Sequence, residues 1–136
     1  GLTRSVLCFL IDAYHEEQGV DHAGESKTRV LLRLHPRLAP VKAAVFPLVK
    51  KDGQPEMARD IVAKLRVQGL QAKYDEQQSI GKRYAKHDEV GTPFCITVDQ
   101  DAVSSGSVTI RDRDTAQQER LPIAAAIQKV KERCQV

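Results

Sequence analysis

The sequence predicts an α/β fold, a three-layer sandwich with helices on both faces of a mixed sheet of about five strands. Three stretches carry that prediction. Val41 to Leu48 is an almost unbroken apolar run, which suits a strand buried on both faces, as in a parallel sheet. From Pro55 a helical face of Met57, Ala58, Ile61, Val62 and Leu65 leads to a second strand at Gln71 to Asp75. That strand–helix–strand order implies a right-handed parallel unit. Ser107 to Asp112 alternates cleanly, with Val108 and Ile110 facing the core and Thr109, Arg111 and Arg113 on the opposite, open face.

The remaining elements follow in chain order. Val6, Leu7, Leu10, Ile11 and Tyr14 recur at three- and four-residue intervals, so Leu2 to about Glu16 reads as a helix. Gln18 to Lys27 is polar, carries two glycines and has no periodicity; it reads as a loop or linker. Thr28 to Leu34 regains apolar character, and His35 to Pro40 is a proline-bracketed extended segment. A module boundary therefore falls between Glu17 and Pro40. Residues 1–17 form one part, 18–36 a linker and 37–136 the main domain. Pro55 suits the first position of the next helix and Gly69 its end. Ser79 to Val90 reads as a helix, with Ser79 as its cap and Gly91 as its left-handed exit. Phe94 to Val98 follows as a strand. Asp101 to Gly106 reads as a loop. Gln118 to Leu121 returns antiparallel beside the alternating strand, and Pro122 opens a last helix lined by Ile123, Ile127, Val130 and Cys134.

Composition narrows the function classes. The chain has 136 residues, 41% of them hydrophobic and 29% charged, enough for one soluble domain with one core. A net charge of +3 permits a nucleic-acid partner without demanding one. No apolar run reaches membrane-spanning length, so no membrane partner is expected. Cys8, Cys95 and Cys134 form no C-x-x-C pair, and the four histidines fall at no ligand-like spacing, which points away from a metal site. Three scattered thiols fit a reducing, cytoplasmic setting without a disulfide. Gly1 is not a methionine, so the chain reads as a fragment or processed product. No nucleophile elbow and no phosphate-binding G-x-x-x-x-G-K-[ST] loop occurs. Aromatics are only 4% of residues; Tyr84, Tyr74 and Phe46 are the candidate base-stacking platforms, with Phe46 the better fit to a core.

Two charged sets stand out. Lys82, Arg83, Lys86 and His87 lie on the Ser79–Val90 helix, and Arg111 and Arg113 lie side by side on the alternating strand. Lys82 and Arg83 occupy the first turn, where the helix dipole favours anions, while Asp88 and Glu89 occupy the last turn, where it favours cations. Cations at a helix start suit a bound phosphate. They equally suit a solvated helix with internal ion pairs, and the two arginines equally suit pairing with Asp88, Glu89 or Asp99.

Ser79-Ile80-Gly81-Lys82-Arg83-Tyr84, Asp88-Glu89-Val90-Gly91-Thr92-Pro93-Phe94, Thr97-Val98-Asp99 and Val108 to Asp114 occur in order with close spacing. Together they resemble the C-terminal anticodon-binding domain of class II glycyl-tRNA synthetase, over about Leu34 to Ile123. Leu38 to Lys42 and Phe46-Pro47-Leu48 fit as well. Gly1-Leu2-Thr3-Arg4, followed by an apolar helix, resembles the end of class II motif 3. One departure is Ala85, where many relatives carry a further basic residue.

The resemblance implies a five-stranded mixed sheet and a grip on the anticodon stem-loop of glycine tRNA. It implies Lys82, Arg83 and Lys86 on backbone phosphates, with Arg111, Arg113, Asp88 and Glu89 lining the base-reading surface. Glycine anticodons end in two cytosines, whose amino groups suit carboxylate acceptors. Arg4 would be the ATP-contacting arginine of motif 3. The parent would be a glycine-tRNA ligase using ATP and magnesium, usually as a homodimer in the cytoplasm. This piece alone would be inactive, without catalytic residues, metal or cofactor, its partners being the tRNA and the rest of the synthetase. The alternative is a non-catalytic module of the same fold, as in accessory subunits of mitochondrial DNA polymerase.

Overall fold

A computed structural model describes residues 1–20 and 26–134. Helix α1 (Leu2–Ala13) runs into a hairpin of β1 (Tyr14–Val20) and β2 (Ser26–Leu32). Then come β3 (Ala43–Pro47), α2 (Gln54–Val67), β4 (Ala72–Tyr74), α3 (Ile80–Glu89), β5 (Phe94–Val98), α4 (Gln100–Ser105), β6 (Ser107–Asp112), β7 (Gln118–Pro122) and α5 (Ile123–Cys134).

Five strands form one mixed sheet in the order β4-β3-β5-β6-β7. Strand β3 is parallel to β4 and β5, whereas β6 is antiparallel to β5 and to β7. Strand alternation sorts the side chains onto two faces. Ala43, Val45, Phe94, Ile96, Val98, Val108 and Ile110 meet α2, α4 and α5 through Ile61, Leu65, Ala102, Ala126 and Val130. On the other face Ala44, Phe46 and Cys95 meet Ile80 and Tyr84 of α3. These are the three layers expected from the sequence. No helix among the described residues is long and apolar enough to cross a membrane.

Four local expectations change. The first helix ends at Ala13 rather than near Glu16, because Tyr14 turns to extended backbone and starts β1. The expected linker is largely an antiparallel hairpin, with Tyr14 opposite Leu32 and Glu17 opposite Arg29. Its polar, glycine-bearing strands hide the alternation on which strand recognition depends; residues 21–25 of that stretch lie outside the described residues. The expected loop at Asp101–Gly106 contains the short helix α4, which Asp99 caps by accepting a hydrogen bond from the Ala102 amide at 2.9 Å. Ser79 occupies the cap position of α3, but its hydroxyl makes no capping bond.

Helix α1 differs from the other long helices, α2, α3 and α5. Only Ala13 of its residues is buried, while Leu2, Val6, Leu7, Phe9, Leu10 and Ile11 are exposed. Its sequence has the composition of a core helix, yet among the described residues it has almost nothing to pack against.

Candidate nucleic-acid interface

Helix α3 and strand β6 carry most of the charged residues singled out from the sequence. They sit on the same face of the sheet, because Thr97 and Arg111 point away from the main core toward α3. The face expected to be open is therefore covered, by α3 and by the hairpin. Tyr84 fills the space between, with its hydroxyl 2.9 Å from Thr97 Oγ1 and its ring 4.7 Å from the Arg111 guanidinium. Burial pushes the Tyr84 phenol up, and pushes the neighbouring Cys95 thiol to about 12.

Arg83 turns inward. The residue is 5% exposed, and its guanidinium lies 5.5 Å from the Phe46 ring centroid. Nη1 donates to the Pro47 carbonyl at 2.6 Å, Nε to Gln77 at 2.9 Å and Nη2 to Gln78 at 3.1 Å. The end of β3 and the β4–α3 loop thus converge on one cation. Gln78 holds a left-handed backbone, φ 63°, within that loop. Such a conformation in a residue with a Cβ costs of order 1 kcal/mol and persists only where its surroundings enforce it. In this arrangement Arg83 has no donor directed at a phosphate outside; carbonyls, which carry partial negative charge, have taken its place.

Arg111 and Arg113 are also buried, at 7% and 2% exposure. Arg111 makes a bidentate pair with Asp88, at 2.9 and 3.1 Å. Asp88 raises the Arg111 pKa against the opposing effect of burial. Asp88 is shared with Arg29 of β2, whose Nη1 lies 3.3 Å from it and donates to the Arg113 carbonyl at 2.8 Å. Arg29 also pairs with Glu17 at 2.7 Å, and Glu17 accepts from Arg33 as well. A chain of charges thus staples the hairpin to the domain. Arg113 donates to the carbonyls of Gly91 at 2.8 Å and Leu34 at 2.6 Å, and its Nε meets Asp114 at 3.0 Å. The backbone at Gly91, φ +83°, favours glycine, and a Cβ there would also crowd Leu34 Cδ1 at 2.9 Å and the Leu32 carbonyl oxygen at 3.3 Å.

Of the residues expected to meet RNA, this leaves Lys82, Lys86 and Glu89 facing solvent. Lys82 and Glu89 have no ion pair among the described residues. Lys86 is half exposed and lies 3.4 Å from Asp75. His87 is buried, stacks on Phe46 and meets Asp75 through Nε2 at 3.1 Å. Burial outweighs Asp75 and lowers the His87 pKa, so the imidazole is neutral near pH 7 with Nε2–H donating. Burial raises the Asp75 pKa, but the Gln77 amide, His87 and Lys86 together hold it below the usual carboxylate range. Tyr74 is a poor stacking platform, because Arg59 lies over its ring at 4.7 Å.

Between α3 and the hairpin runs a groove of about 520 Å³, with Tyr84, Ala85 and Glu89 on one side and Gln18, Thr28 and Arg29 on the other. Glu17 and Arg29 were not singled out from the sequence. Their signal was available only once strand pairing set opposite charges directly across from each other.

The family model for the anticodon binding domain matches residues 42–133. The chain belongs to the anticodon-binding domain family. Relatives of this anticodon-binding domain include a glycine–tRNA ligase of Rhodopirellula baltica, 47% identical over 98% of this chain and 25% of its own length. Another, from Borrelia hermsii, is 51% identical over 90% of this chain and 26% of its own length. The chain therefore spans about a quarter of the length of these curated relatives. Among solved structures, a prolyl-tRNA synthetase from Cryptosporidium parvum, complexed with L-proline and AMP, aligns with TM-score 0.69 and 18% identity. That alignment covers 85% of this chain and 29% of the other, and it speaks for the fold. The resemblance to class II glycyl-tRNA synthetase drawn from the sequence holds, and the polymerase-accessory alternative gains no support.

Arg4 is exposed on α1 with no partner among the described residues, and no metal-holding cluster of side chains occurs among them. One exposed arginine does not make a nucleotide site, so the residues present do not fit ATP and magnesium.

Proposed function

We propose that this domain binds the anticodon stem-loop of glycine tRNA, within a glycine-tRNA ligase whose other parts carry the ATP- and magnesium-dependent chemistry. The observation that carries this reading is the near-complete match of the chain, at about half identity, to glycine–tRNA ligases. The geometry adds which groups are available. Lys82 and Lys86 offer charge for phosphates on the exposed side of α3. Glu89 offers a carboxylate to the amino group of a cytosine.

The bare face of α1 suggests the second partner. A helix with this many exposed apolar residues suits burial against the rest of the synthetase chain. In that setting Arg4 would face ATP. A cytoplasmic homodimer is the assembly proposed for the whole protein.

The test is direct. Titration with a labelled glycine-tRNA anticodon stem-loop at low ionic strength gives a complex, and changing its second or third anticodon base weakens binding. Each wrong base costs about 1–3 kcal/mol if it is read through its edge. The Glu89→Gln variant loses part of that discrimination. Equal binding of cognate and altered loops by the unsubstituted domain would sink the reading.

A further inference from the structure

We infer that the β1–β2 hairpin is part of the RNA-binding surface and forms the outer wall of a groove that takes one unstacked base. This rests on the anticodon reading above. The matched family region begins at residue 42, so the hairpin lies outside it. Even so, Gln18, Thr28 and Val30 of the hairpin face Gly81, Ala85 and Glu89 of α3 across the 520 Å³ groove.

Charge decides what enters. The guanidinium groups at the groove are committed: Arg29 to Glu17 and Asp88, Arg111 to Asp88. A phosphate entering here would meet the unpaired carboxylate of Glu89 and no uncommitted cation among the described residues that line the groove. A base edge meets different chemistry: the Glu89 carboxylate, the Gln18 amide and the Thr28 hydroxyl. The last two already touch, Thr28 Oγ1 donating to Gln18 Oε1 at 3.3 Å, and both side chains are exposed. A cytosine presents an amino donor beside a ring nitrogen and a carbonyl acceptor, which suits this mixture.

Size and rigidity agree with that. Gly81 and Ala85 put nothing larger than a methyl group on the α3 side, so room for a flat ring remains. Strand β2, which carries Thr28, is already held before binding, because Arg29 ties it to Asp88 and to the Arg113 carbonyl. A wall held in place before the ligand arrives costs less on association than one recruited by it.

The experiment uses the whole 136-residue chain and a fluorescent glycine-tRNA anticodon stem-loop read by anisotropy. A Gln18→Ala/Thr28→Ala double variant is expected to bind about fivefold more weakly, the scale of one hydrogen bond. Its melting temperature stays put, since both side chains are at the surface. The salt dependence of binding keeps its slope, because no phosphate contact is lost. Unchanged affinity in the double variant, with Lys82→Ala still weakening the complex, would overturn the hairpin inference and leave the anticodon reading standing. A flattened salt slope would also overturn it, by showing that the hairpin meets phosphate. No complex with the unsubstituted chain would remove both.

Discussion

The two ends of α3 can be set side by side. At the amino end stand Lys82 and Arg83; at the carboxyl end stand Asp88 and Glu89. All four oppose the helix dipole. In each pair one side chain turns into the protein and the other out, because neighbouring residues lie about 100° apart around a helix. Arg83 is spent on carbonyls and Asp88 on guanidinium groups, while Lys82 and Glu89 face water. A charge in the wrong place on a helix therefore has two distinct causes here. One is an internal partner that outweighs the dipole; the other is a surface kept for something outside. Sequence spacing alone cannot separate them.

The largest effect should come from the inward member at the carboxyl end. Asp88→Ala leaves Arg111 buried without its counter-ion and removes one of the two ties of Arg29 to the domain, leaving its bond to the Arg113 carbonyl. Breaking a buried pair in this way costs about 3–5 kcal/mol, read as a shift in urea denaturation. A loss under 1 kcal/mol would mean that Asp88 is not the internal anchor its contacts indicate.

At the amino end the comparison sharpens when both residues are changed separately. Arg83→Ala strands carbonyls at the end of β3 and in the β4–α3 loop and should cost about 2–3 kcal/mol, at the upper end for buried groups left unsatisfied. Lys82→Ala should move stability by no more than about 0.5 kcal/mol. In RNA titrations the order reverses. Lys82→Ala flattens the salt slope by about 0.7, one phosphate contact on a single strand, while Arg83→Ala leaves the slope alone. Equal slope changes from the two would erase the inward–outward distinction.

His87 supplies the smallest effect. Its folded pKa is lowered by burial, so the unfolded chain takes up a proton first as pH falls. The sign is therefore destabilising on acidification. Stability is full above the unfolded value near 6.5 and declines as pH drops from there toward the lower folded value. Asp75 adds its own loss only below about pH 4, because its folded pKa is also depressed. Melting temperatures at pH 7 and pH 5.5 should differ in the natural chain and converge in His87→Phe, whose ring can keep the stack on Phe46.

Much of the fold was legible because its signals are periodic. Val108 and Ile110 against Thr109 and Arg111 announced β6 and the faces of the sheet correctly. The apolar run at Val41–Leu48 announced a strand covered on both sides. The hairpin was not legible: its strands are polar, and what holds them is a pairing of Glu17 with Arg29 that exists only after folding. Helix α4 was missed for a related reason, since six small and polar residues bury only Ala102. At the site, residue types drew the eye to α3 and β6, which the fold brings against each other through Asp88 and Arg111. Whether an arginine ends in water or among carbonyls depends on where other strands stop, and no local pattern encodes that.

The stapled hairpin has a practical corollary for anyone cutting this protein down. A truncation starting at residue 42, where the family model's match begins, would discard Arg29, the Leu34 carbonyl that Arg113 grips, and the leucines that Gly91 makes room for. Asp88 would keep Arg111 but lose its second guanidinium, and Arg113 Nη2 would lose its short bond to the Leu34 carbonyl and keep the longer one, 3.4 Å to Asp114. The smallest piece that keeps its own polar interior intact is longer than the stretch the family model matches.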